Sequence, residues 1–294
     1  MHRKQIVGIG FLLLCLLRAT AWIIPSNPDS LPAAEQQAIL YGIAGIGALL
    51  FAGRGLSDRL RASAWASLSV ASVKLFGLPI ILIGWAQGSV TETGISALFA
   101  AVPTVVAIVM ATGTEEGGRR FLTPALVAFG GALLLLPVNL LESLQGDLRL
   151  AGLVLAILLV GITSVRMFRL LHPVAYPDAV VVVGLSNAIF LTICCIANGS
   201  LVWRWNQLTS TISIASLVDL IEMALLIWLL REMLPIRLST RYLLIPLFTV
   251  IEGYVILRPQ ITARLTVGAA LLAAGAAWIL FTRIEENEPV LSLH

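Results

Sequence analysis

With 294 residues, 59% of them hydrophobic and 12% charged, and a mean hydropathy of +0.96, the chain has too little polar surface to meet water on every side, which excludes a soluble domain. Its net charge of +3 and pI near 9.0 do not point to nucleic acid, because the basic residues stand singly or in pairs between apolar runs, which is the pattern of membrane topology.

Crossing the hydrocarbon core takes about 20 mostly apolar residues of helix, and ten stretches meet that demand. The first, 5–24, follows His2-Arg3-Lys4 and carries Arg18 close to its far end. Its closing Ala19-Thr20-Ala21 also resembles the cleavage site of a secretory signal. The second, 36–53, is crowded with Gly42, Gly45 and Gly47. The third, 64–86, holds Lys74 near its middle and Pro79 beyond it, and the fourth, 95–112, contains Pro103. The fifth and sixth, 121–141 and 150–169, have no charge at their centres. The seventh, 179–198, contains Asn187 and the pair Cys194-Cys195. The eighth, 209–230, has Asp219 near its middle and Glu222 three residues on, so both project from one helix face. The ninth, 241–257, holds Pro246 and Glu252, and the tenth, 265–282, spaces Ala269, Ala273 and Ala277 four apart. The linkers are short and rich in turn formers, and none is long enough for a soluble domain.

Small residues at such spacing let helices approach backbone to backbone, which is how helices associate when lipid removes the hydrophobic drive between them. Pro79, Pro103 and Pro246 are expected to kink or locally open their helices, which membranes tolerate where the irregular backbone lines a cavity. Cys15, Cys194 and Cys195 lie inside apolar runs, and neighbours on a helix point about 100° apart, so no metal site is expected.

Loop charges set the orientation. With the amino terminus inside, thirteen Lys and Arg (Arg3, Lys4, Arg54, Arg59, Arg61, Arg119, Arg120, Arg166, Arg169, Arg231, Arg237, Arg241 and Arg283) fall on the inner side and four (Arg149, Arg204, Arg258 and Arg264) on the outer. The chain is thus expected to be a multi-pass protein of the cytoplasmic membrane with both termini in the cytoplasm.

The chain also repeats itself. Val102-Pro103, Arg120, Phe121 through Ala125 and Gly130-Gly131 match Ile245-Pro246, Arg264, Leu265 through Ala269 and Ala274-Gly275. The interval from Arg to Gly is 11 residues in both copies, and the prolines fall 17 and 18 residues before the Arg. Five spans separate the copies, so the second enters the membrane upside down relative to the first. The expected fold is all-α and integral to the membrane, with ten transmembrane helices as two inverted five-helix repeats, 1–145 and 146–294. Retaining the first span supplies the sixth with its partner.

Pro246 through Ile251, Gly253-Tyr254, Leu257, Ile261-Thr262 and Gly268 through Gly275 resemble the closing hairpin of EamA-type members of the drug/metabolite transporter superfamily. The segment around Pro103 is similar to the corresponding hairpin of the first half. A Gly-Glu pair is frequent at the end of the hairpin's first helix in that family; here Arg258-Pro259 stands there in the second half, with Glu115-Glu116 only near the place in the first. The resemblance implies a secondary transporter, often an exporter, of small metabolites, working by alternating access without a cofactor.

Charged groups deep in a bilayer cost about 2.5–3.5 kcal/mol each even on the lenient scale, so they mark function. Five stand out: Arg18, Lys74, Asp219, Glu222 and Glu252, with Asn187 as a polar neighbour. The repeat offset maps Lys74 to within two residues of Asp219, so a pair across a central cavity is expected. Two cations against three carboxylates leave one negative charge over, to be met by a proton or a transported cation. This is the basis for expecting proton coupling through Glu222 or Glu252.

The remaining alternatives are a flippase for a lipid or lipid-linked substrate on the same scaffold, and a membrane-embedded lipid-modifying enzyme. The sequence holds no HExxH, GxSxG or GxxxxGK[ST] element, so an enzyme or an ATP-driven pump is not expected. Expected partners are a small-molecule substrate and membrane lipid, not nucleic acid, in a monomer or homodimer.

Overall fold

The computed structural model describes residues 2–23, 31–52, 62–87, 90, 92–112, 116–136, 148–201, 214–257 and 262–282. Every regular element among them is helical. In chain order these are α1 (His2–Ala19, extended by a 3-10 turn Thr20–Ile23), α2 (Ala33–Ala52), α3 (Ala62–Ser72), a π turn (Val73–Gly77) and α4 (Leu78–Ala86). Next come α5 (Glu92–Phe99), α6 (Val102–Thr112), a 3-10 segment (Glu116–Phe121), α7 (Leu122–Leu135), α8 (Leu148–Leu171) and α9 (Tyr176–Ala197). The chain closes with α10 (Ile214–Glu232), the short α11 (Pro235–Ser239), α12 (Arg241–Leu257) and α13 (Ala263–Phe281).

Seven helical runs are long and apolar enough to cross a membrane: 33–51, 64–86, 94–112, 118–135, 148–171, 176–197 and 263–281. Their outward faces carry large apolar side chains, with Phe51 88% and Phe281 83% exposed, a surface of the kind that lipid covers. The molecule has the build of a multi-pass helical membrane protein. The long helices outside that group, α1, α10 and α12, carry Arg18, Asp219 with Glu222, and Arg241 with Glu252.

The bundle is knit by small residues. Gly45 of α2 and Gly184 of α9 meet backbone to backbone. Gly131 of α7 faces Gly268 of α13, and Gly275 of α13 faces Ala128 of α7. Both pairs are close-packed because no side chain intervenes, as lipid-embedded helices require.

The prolines act differently from one another. Pro79 follows the π turn, in which the Leu78 N–H donates to the Val73 carbonyl five residues back. Pro103 begins α6 after a break at 100–101, whereas α12 runs unbroken through Pro246. Residues 137–141 and 209–213 of the predicted fifth and eighth spans lie outside the described residues, as does the predicted boundary at 145/146.

Candidate functional site

Two charged contacts link α1 to α10 and show that they run antiparallel. Near one end, the Arg3 guanidinium donates to both carboxylate oxygens of Glu232 at 2.8–3.1 Å. Near the other, Arg18 Nη1 stands 3.8 Å from Glu222 Oε2. Fifteen residues separate the two arginines along α1, about 22 Å of helix. Between them Gly10 lies flat against the Trp228 ring, which lets the helices close.

Glu222 sits on the inner face of α10, with its side chain 13% exposed against 56% for Arg18. One turn before it, Asp219 Oδ2 accepts from Gln37 Nε2 of α2 at 3.4 Å. Arg18 acts electrostatically on both carboxylates, so the sequence-predicted Arg18, Asp219 and Glu222 are brought together.

Lys74 is not part of this group. It lies exposed on the π turn and forms no ion pair with Asp219 or Glu222. The expected contact across the centre is therefore corrected. The repeat offset maps Lys74 onto 217–218, one or two residues from Asp219, and such a step turns a side chain by about 100–200° around a helix, so matching depth does not bring matching faces. Glu252 is half-buried on α12 and is absent from the charges acting on Asp219 and Glu222.

The residue that sequence reasoning missed is Arg241. Counted as an inner-loop charge because it opens the ninth span, it is only 8% exposed and reaches into the bundle from the first position of α12. Its Nη2 donates to the Tyr242 hydroxyl at 2.7 Å, and its guanidinium carbon stands 4.6 Å from the centre of the Tyr242 ring. Its charge acts on Glu222, Tyr41 and Cys15, which places it within the same electrostatic field as Arg18 and Asp219. The signal that could have revealed it is the run Pro235–Ser239 before it, in which Ile236, Leu238 and Ser239 are buried, so this connection packs within the protein.

Aromatic rings flank the charged cluster. Tyr41 and Phe76 lie with centroids 6.3 Å apart, and Phe99 and Tyr242 at 5.6 Å. Tyr41 feels Arg241, Asp219, Tyr242 and Arg18, so the rings and charges belong to one neighbourhood. Within it, Glu222 Oε1 and Arg241 Nη1 are buried and have no hydrogen-bond partner among the described residues.

Asn187 serves a different place. Its Nδ2 donates to Ser72 Oγ at 2.6 Å and to the Val183 carbonyl at 2.8 Å, tying α9 to the residue before the π turn. It is fully buried, and Gly77 leaves the room its side chain occupies. A cavity of about 220 Å³ between α2 and α9, lined by Glu35, Gly42, Thr192 and Cys195 among others, contains none of the six sequence-predicted candidates. Among the described residues no group of His, Cys, Asp and Glu is arranged to hold a metal ion.

No protein-family model and no curated protein matches the chain. Sixteen solved chains match it in fold. One, described only as "Crystal structure of protein", is 17% identical, covers 94% of this chain and 98% of its own, and superposes with a TM-score of 0.66. That likeness extends over nearly the whole bundle. It shows a shared fold and says nothing of chemistry.

Proposed function

We propose that the chain is a secondary active transporter of a small metabolite, an exporter working by alternating access and coupled to protons through Glu222. The observation that carries this reading is the pair of inward-facing charges Glu222 and Arg241, with the half-buried Asp219 and the more exposed Arg18 beside them on apolar helices. Charges in such a place are costly unless paired or hydrated, and packing alone has no need of them.

The architecture we propose is ten transmembrane helices in two inverted halves, 1–145 and 146–294. Pairs of helices that such a repeat would interchange make matching contacts. The α1–α12 contact has its counterpart in α8–α6, α1–α10 in α8–α4, and α2–α10 in α9–α3. The two glycine-mediated pairs, α2–α9 and α7–α13, are those that an inverted repeat would map onto themselves. The hairpin resemblance to EamA-type transporters supports the same reading. We place the protein in the cytoplasmic membrane with both termini inside; with Arg241 drawn into the bundle, the loop bias is still twelve to four.

Glu222 is the carboxylate to bear a proton, because one of its oxygens has no partner and its ion pair with Arg18 is loose. The purified protein in sealed vesicles, challenged with a pH jump, should exchange protons for metabolites drawn from a cell extract, and Glu222→Gln should lose this exchange. Turnover of a lipid in detergent without any gradient would support an enzyme instead. Movement of labelled lipid with no solute exchange would support a flippase.

A further inference from the structure

α7 and α13 pack as an antiparallel pair with arginine at both ends. Gly131 faces Gly268, and Gly275 faces Ala128 and the Pro124 carbonyl. At one end of this contact Arg264, in the first turn of α13, donates to the Leu136 carbonyl that closes α7. The same register carried the other way sets Arg119 and Arg120, in the 3-10 segment that leads into α7, level with Leu280 and Phe281 at the end of α13. Arg120 is the counterpart of Arg264 in the sequence repeat, so the end of α13 is the group it would be expected to cap.

That end is already answered. Arg237 of the buried turn α11 donates from Nη2 to the Thr282 carbonyl at 3.0 Å. Arg119 and Arg120 are left exposed, and among the described residues neither makes a hydrogen bond or an ion pair. Arg237 pairs with no carboxylate among the described residues either. Three positive charges therefore gather at one helix end. Just inside that end, Trp278 and Phe281 lie on one face of α13 and are exposed. A cationic rim above an aromatic, outward-facing helix matches an anionic phospholipid: guanidinium forks suit a phosphate, and the rings suit its acyl chains. This is also the end that the loop charges place on the cytoplasmic side, where membrane lipid carries its negative charge.

We propose that the inner end of the α7–α13 pair binds an anionic phospholipid, its phosphate on Arg119 and Arg120 and an acyl chain along Trp278 and Phe281. The site is separate from the charged cluster of α1, α10 and α12 and does not depend on transport.

The test titrates the full-length protein, stripped of lipid in a neutral detergent, with phosphatidylglycerol or phosphatidylcholine of the same acyl chains. Binding is followed by native mass spectrometry and by thermal melts. Phosphatidylglycerol should bind about tenfold or more tighter, the order expected for two arginines at an anionic headgroup. Arg119→Gln together with Arg120→Gln should abolish this preference while leaving the melting temperature in phosphatidylcholine unchanged. Either single change should lower it about threefold, and the paired change to Lys should keep most of it. Arg166→Gln, at an exposed arginine of α8 away from α13, should leave it intact. Glycerol phosphate, which has the anionic group but no acyl chain, should not displace the lipid at equal concentration. The proposal is overturned if the two lipids bind alike, if Arg166→Gln erases the preference as fully as the double change, or if glycerol phosphate competes on equal terms. It is overturned too if the preference emerges only after Glu115, Glu116, Glu285, Glu286 and Glu288 are changed to Gln, since the arginines would then serve the chain's own acidic residues.

Discussion

Gly45 of α2 and Gly184 of α9 touch so closely that a Cβ placed on Gly184 would lie 2.6 Å from the Gly45 Cα. The obstacle is backbone, which has no rotamer with which to yield. The contact therefore sets the distance between α9 and α2, the helix that brings Gln37 and Tyr41 to the charged cluster.

Gly184→Val should lower stability by about 1–3 kcal/mol, the range for overpacking a close contact. Gly47→Val, where a Cβ would meet nothing within 4 Å, should change it little. Thermal melts of the two purified variants in one detergent provide the comparison. Equal melting temperatures would show that the α2–α9 contact is not tight.

Asn187→Leu should cost about 1–3 kcal/mol, because Ser72 Oγ then loses its donor in a site closed to water. Asn187→Ala combined with Ser72→Ala should cost less than the two single changes added together, since the polar partners are removed as a unit. Additive losses in denaturant titrations would mean that the bond contributes nothing.

Lys74→Met and Asp219→Asn should behave as independent changes. The two residues share no ion pair, and Asp219 instead accepts from Gln37. Their combined effect on transport should equal the sum of the singles within about 0.5 kcal/mol of activation free energy. Rescue of one by the other in vesicle uptake would restore the contact that the repeat offset suggests.

α1 should be held on α10 by packing more than by its outermost ion pair. Arg3 is 83% exposed, so Arg3→Ala should cost less than about 1 kcal/mol, and salt should shrink even that. Gly10→Leu would instead drive a side chain into the Trp228 ring, 2.7 Å from the new Cβ, and should cost about 1–3 kcal/mol. The reverse order in melting experiments would assign the interface to electrostatics.

Much of the bundle was legible in the amino-acid order. Apolar runs of bilayer length mark helices wherever they occur, because a chain in lipid must satisfy its backbone hydrogen bonds within each segment. The predicted runs 36–53, 64–86 and 150–169 correspond to α2, α3 through α4, and α8 within a few residues. The grouping of Arg18 with Glu222 was only half visible. Sequence identified both as charges within apolar spans, but Lys74, by the same logic, stands exposed elsewhere.

Burial in the membrane, helical class and the cost attached to each interior charge are properties of the sequence alone, because they depend on local composition and on an apolar solvent. Which charges meet is not. Arg241 reads as a loop residue until the buried turn Pro235–Ser239 carries it inward, and Lys74 reads as central until the packed helices leave it on the outside. Partner choice depends on helix rotation and on backbone approach between segments far apart in the chain. Only the packed bundle, closed at contacts such as Gly45 on Gly184, decides those angles.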